Sequence, residues 1–138
     1  MSRTTRFREQ HSEIMHIAAD LQSTLNESSL ASDASKARSI LSSLVGKLKL
    51  HLSAEDKVLY PELQGSSDPK VVSLAKRFAT EMSDVAPKVT EYNQRWLTPT
   101  SIMSDPGKFI TETKQILNVL SNRIKRENNE LYTAADNM

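Results

Sequence analysis

Five side chains that titrate or carry charge stand where helical spacing calls for apolar ones: His11, His51, Glu55, Arg123 and Glu127. An unpaired charge in a hydrocarbon core costs several kcal/mol, so such residues must pair with one another or coordinate a metal. His51 and Glu55 are four residues apart, which turns both toward one side of a helix. Arg123 and Glu127 repeat that spacing near the other end of the chain. Imidazole and carboxylate are the donors that divalent first-row metals accept, so cation binding is the chemistry to test first.

Four apolar seams position these residues, each stepping by three or four. The first runs Phe7, His11, Ile14, Ala18, Leu21, Leu25. The second runs Leu41, Leu44, Leu48, His51, Glu55, Val58. The third runs Val71, Ala75, Phe78, Met82, Val85, Val89, Tyr92, Trp96. The fourth runs Phe109, Thr113, Ile116, Leu120, Arg123, Glu127, Leu131. Asp68-Pro69 and Asp105-Pro106 each read as an N-cap followed by proline at the first helical position. Helices are predicted over about 5–27, 33–64, 69–96 and 106–135, with 28–33 as a Ser-rich connector. Pro61 and Pro87 fall inside helical stretches and should kink them. The expectation is one all-α domain over 1–138, a four-helix bundle with short connections.

Composition narrows the function. At 138 residues, 38% hydrophobic and 25% charged, the chain is an ordinary folded domain. It has no cysteine, which removes disulfides, thiolate metal sites and a thiol nucleophile. A formal charge of +1 with the signs mixed gives no footprint for nucleic acid or an anionic membrane. No stretch approaches the ~20 apolar residues of a membrane span, and no signal peptide is evident, so a cytoplasmic protein is expected. Serine-rich segments lack a His–Asp constellation, which gives no case for a hydrolase.

The chain also repeats itself. His51-Leu52-Ser53-Ala54-Glu55 leads to Leu59-Tyr60 as Arg123-Ile124-Lys125-Arg126-Glu127 leads to Leu131-Tyr132. His11-Ser12-Glu13-Ile14 likewise matches Met82-Ser83-Asp84-Val85. The two matches are offset by 72 and 71 residues, which suggests a helical hairpin duplicated about a pseudo-two-fold axis.

Residues His51 to Leu63, with Phe7-Arg-Glu-Gln-His11-Ser-Glu-Ile14 and Arg123 to Tyr132, resemble the motifs of the hemerythrin-like, HHE cation-binding family. The resemblance implies an antiparallel up-down-up-down four-helix bundle holding two non-haem irons. It also implies oxygen binding, oxygen or nitric-oxide sensing, or iron handling, rather than turnover by an enzyme. Carried over by position, His11, His51, Glu55 and Glu127 are the implied metal ligands. Met82 and Arg123 stand where the family has histidines. A thioether is a poor ligand for hard iron and a guanidinium cannot become one, so a di-iron centre is not expected.

Two readings of the pocket stay open. His11, His51, Glu55 and Glu127 are an adequate set for a single iron, manganese or zinc ion, with a small gaseous ligand only if that metal is bound. Alternatively, Arg123 replaces the metal by bridging Glu55 and Glu127, leaving a metal-free interaction or regulatory bundle with a buried Arg–Glu–His network. Charge arithmetic leans toward the second. Tyr60 and Tyr132 read as pocket-wall residues with bonded hydroxyls. Met82 reads as core packing, Trp96 as a cap on the bundle and His16 as a solvated surface residue.

Overall fold

A computed structural model describes residues 3–138, leaving aside the side chain of Met82. The chain is 87% helical, and no strand occurs among the described residues. Helix α1 is Thr5–Gln22 and α2 is Glu27–Ser32. Helix α3, Ser35–Ala54, runs through a π-helical turn at Glu55–Leu59 into α4, Tyr60–Gln64. Helix α5 is Pro69–Arg95 and α6 is Pro99–Ser104. Helix α7, Pro106–Arg126, runs through a second π turn at Glu127–Leu131 into α8, Tyr132–Asp136. Helix α1 packs on α3 and α7, and α5 packs on the same two helices, so the long rods close into a bundle.

Local chemistry sets the starts of the long helices. Asp68 accepts the Lys70 backbone N–H at 2.9 Å and Asp105 accepts that of Lys108 at 3.2 Å. Each cap satisfies a donor that the first turn leaves free, and the following proline has no N–H to lose. Helix α5 continues unbroken through Pro87, which lies on its exposed side.

Two segments read as connectors contain helices. The Ser-rich stretch after α1 is α2, capped by Asn26, which accepts the Ser29 N–H at 3.0 Å. It forms because Leu30 can be buried in the core, which repays the ordering of one short turn. Helix α6 starts with a reciprocal capping box between Thr98 and Ser101 and buries Ile102. Trp96 is a core residue as well as an end piece: its indole N–H donates to Glu112 at 2.8 Å, and its ring meets Phe109 edge-on.

The core falls into two apolar clusters. One holds Ile14, Leu48, Val85, Leu120 and Ile124 with their neighbours; the other holds Phe7, Leu59, Leu63, Phe78 and Leu131 with theirs. On α1 the change from one to the other falls at His11, at the end of α3 and the start of its π turn at His51 and Glu55, and at the end of α7 and the start of its π turn at Arg123 and Glu127. A polar layer therefore crosses the bundle at one level, and every one of its members named here is buried.

Candidate metal centre

The π turns shape this layer. Tyr60 donates its backbone N–H to the Glu55 carbonyl, and Tyr132 donates to that of Glu127, each spanning five residues instead of four. Residues five apart on a regular α-helix lie about 140° apart, which would turn each tyrosine away from its glutamate. The wider turn brings Tyr60 back onto the face of Glu55. It also moves the apolar seam one residue on, so Leu59 is buried and Val58, expected on the seam, is half exposed. Pro61 withholds an N–H just after the first π turn, but Thr133 holds that place after the second. The proline alone therefore does not cause the irregularity.

His11, His51, Glu55 and Glu127 each turn one donor atom into a common space, with all four atoms within 4.8 Å of one another. His11 Nε2 lies 3.4 Å from Glu127 Oε1 and 4.0 Å from Glu55 Oε1. His51 Nε2 is in close contact with Glu55 Oε1. On their outer sides, His11 Nδ1 meets the Asn128 side-chain carbonyl at 2.8 Å and His51 Nδ1 meets that of Gln10 at 2.7 Å. An amide oxygen only accepts, so each Nδ1 carries a hydrogen and both Nε2 atoms face inward. Burial, and next the neighbouring His51, lower His11 from 6.5 to about 4, so it is neutral at pH 7.

The two carboxyl groups share one proton unequally. Burial works to raise Glu55, but hydrogen bonds with His51 and Glu127, and the one from Tyr60, outweigh it and hold Glu55 at about 2. Burial, and then the Glu55 charge, push Glu127 well above the ordinary carboxylate range, with Arg123 opposing. The layer has more lone pairs than protons. Tyr132 lies 3.1 Å from His11 Nε2, 3.3 Å from His51 Nε2 and 3.0 Å from Glu55 Oε1, and its one O–H can serve only one of them. Glu127 Oε2 is buried without a hydrogen-bond partner. A donor set of two imidazoles and two carboxylates, short of positive charge, fits a cation.

Arg123 does not supply that charge in the way its spacing suggests, and its reading as a bridge between Glu55 and Glu127 is corrected. Its Nη1 donates to Glu81 at 2.8 Å and its Nη2 to the Phe78 carbonyl at 2.5 Å, both on α5. The guanidinium also lies over the Phe78 ring, 4.5 Å from its centroid. Only Nε approaches the layer, 3.9 Å from Glu127 Oε1 and without a hydrogen bond. The physical reason is desolvation: Glu81 is partly exposed and already held by Arg126 at 2.6 Å, so pairing there costs less than pairing in the dry interior. The Met82 side chain lies outside the described residues. His16 sits on the exposed face, its Nε2 3.9 Å from Asp20.

Tyr60 and Tyr132 reach further into the layer than a wall would. Tyr60 donates to Glu55 Oε2 at 2.8 Å, and Tyr132 reaches the middle of the donor set. Gln10, Asn128 and Glu81 were not legible as parts of the site. Each is an ordinary polar helix residue whose role depends on a partner from another helix.

A helical bundle with a buried histidine and glutamate group able to hold a cation has the architecture of a cation-binding domain. Residues 3–135 match the family model described as the hemerythrin HHE cation-binding domain, and the chain belongs to that family. No curated protein and no solved structure matches the chain.

Proposed function

We propose that the protein binds a single metal ion through His11, His51, Glu55 and Glu127 and serves as a non-enzymatic iron-binding, sensing or iron-handling bundle in the cytoplasm. The observation that carries this reading is the fixed orientation of both histidine rings. Gln10 and Asn128 hold the Nδ1 hydrogens outward, so two Nε2 atoms and two carboxyl groups face one space. That arrangement costs free energy in a metal-free core and is recovered when a cation enters. One ion is favoured over two because Arg123, engaged with Glu81 and Phe78, holds a fixed positive charge 3.9 Å from Glu127. When bound, iron would supply Lewis acidity and a site for a small diatomic ligand.

The test is metal analysis of protein purified without a histidine tag, followed by titration of the chelator-treated protein with ferrous iron, manganese or zinc. One ion per chain is expected, with uptake lost in His51→Ala. No uptake of any of the three ions would overturn the reading, and two ions per chain would overturn its single-site form.

A further inference from the structure

We propose that Tyr132 is a fifth donor to this site and that its phenolate oxygen fits the centre to ferric iron. The inference rests on the metal-binding reading above and goes beyond it in naming another ligand and the charge of the ion.

The Tyr132 hydroxyl lies 3.0 to 3.3 Å from three of the four donor groups, as close to each as a ligand is to its neighbours in one coordination shell. Tyr60 differs: its hydroxyl meets only the second oxygen of Glu55, away from the histidines. The two tyrosines hold matching places in the repeat, but only the one in the second half lies against both histidines as well as Glu55.

The Tyr132 ring has little freedom to leave. It is fully buried, stacked on His11 with centroids 5.0 Å apart, and 5.9 Å from Phe7. The π turn that begins at Glu127 ends directly before it, and its backbone N–H is bonded to the Glu127 carbonyl.

Charge then selects the ion. Glu55 and Glu127 together balance a divalent cation, and two neutral imidazoles add nothing. A ferric ion in so dry a layer requires one more anionic donor, and phenolate is a hard oxygen ligand known for ferric iron. In forming that bond the Tyr132 O–H breaks heterolytically. Its proton passes to solvent, as does the proton that Glu127 holds in the metal-free layer, and the oxygen lone pair goes to the ion, with no oxidant or reductant consumed. With a divalent ion Tyr132 keeps its proton and remains a hydrogen-bond donor to Glu55.

The experiment adds ferric citrate to the metal-free protein and records visible absorption and resonance Raman spectra, with zinc titrated in parallel. A phenolate-to-iron charge-transfer band and enhanced tyrosine ring modes are expected in the unmodified protein. The band should vanish in Tyr132→Phe and persist in Tyr60→Phe. Ferric affinity should fall about a hundredfold in Tyr132→Phe, at the upper end of what loss of a supporting partner costs, while zinc affinity changes little. If Tyr132→Phe folds poorly, tyrosine modes in the unmodified protein that persist in Tyr60→Phe still assign the ligand. A ferric protein without the band, or one whose band survives Tyr132→Phe, overturns the proposal and leaves the single-metal reading standing. Failure to take up zinc, ferrous or ferric iron overturns both.

Discussion

Replacing Glu127 and Glu55 in turn by glutamine should give opposite results in the metal-free protein, although the two carboxylates occupy matching places in the repeat. Glu127 is pushed well above 4.5 by burial and by the Glu55 charge, so in the folded state it is the neutral partner. Glutamine replaces a neutral acid with a neutral amide of the same shape, and at pH 4.5 stability should change by less than about 0.5 kcal/mol. A folded pKa above the unfolded one contributes stability that is fully present below the unfolded value and is lost as pH rises through the folded value. The loss is about 1.4 kcal/mol per unit. Glu127→Gln abolishes that loss, so the variant should become the more stable protein as pH is raised from 4.5 to 8. Glu55 is the ionised partner, accepting from Tyr60 at 2.8 Å and Tyr132 at 3.0 Å and touching His51. Hydrogen bonds to a charged group are worth about 1.5–3 kcal/mol each, and glutamine preserves only one acceptor oxygen. Glu55→Gln should therefore cost about 3 kcal/mol at pH 7. Urea denaturation of chelator-treated proteins at the two pH values measures both. A Glu127→Gln loss above about 2 kcal/mol at pH 4.5, or an Glu55→Gln loss below about 0.5 kcal/mol at pH 7, would refute this division of the proton.

Three further outcomes are expected. His11, lowered from 6.5 to about 4, contributes stability above pH 6.5 that is lost as pH falls toward 4. The loss is about 3 kcal/mol, and His11→Leu should remove that acid-side slope in denaturation curves. Asn128→Leu and Gln10→Leu free the Nδ1 hydrogens of His11 and His51, so nitrogen NMR should show mixed tautomers and calorimetry a 10–100-fold loss of zinc affinity, as is typical for supporting partners. Arg123→Ala removes its bonds to Glu81 and Phe78 and its place over the Phe78 ring, and should cost about 2 kcal/mol in thermal or urea unfolding. An effect below about 0.5 kcal/mol would show that the guanidinium is not held there.

Much of the helical frame was legible because it follows from local rules. The Asp-Pro pairs announce the starts of α5 and α7, since cap and proline act within one turn. The seams expose His11, His51, Glu55 and Glu127 as misfits, because period and polarity are properties of sequence alone. What could not be read is what depends on a second helix. Arg123 was assigned to Glu55 and Glu127 from the spacing on its own helix, yet a long side chain chooses among partners on every neighbour. Glu81 and the Phe78 carbonyl on α5 offer it a cheaper place. Leu30 made the Ser-rich connector a helix for the same reason, since only burial against the rest of the bundle makes so short a helix worth forming.

The π turns join the repeat to the site. Each of the two matching sequence segments places a glutamate at the start of a five-residue π turn and a tyrosine just after it. A one-residue register shift at that level does two things together. It keeps the apolar face continuous below the polar layer through Leu59 and Leu131, and it brings Tyr60 onto Glu55 and Tyr132 into the donor set. Identical backbone irregularities do not give identical sites. The first half retains His11, His51 and Glu55, whereas the second contributes Glu127, Tyr132 and an Arg123 held to α5. The asymmetry gathers the inward donor atoms beside the first-half histidines and leaves a fixed cation on the other side. The single-ion site proposed above follows from this asymmetry, since the two halves of the repeat do not offer equivalent donors.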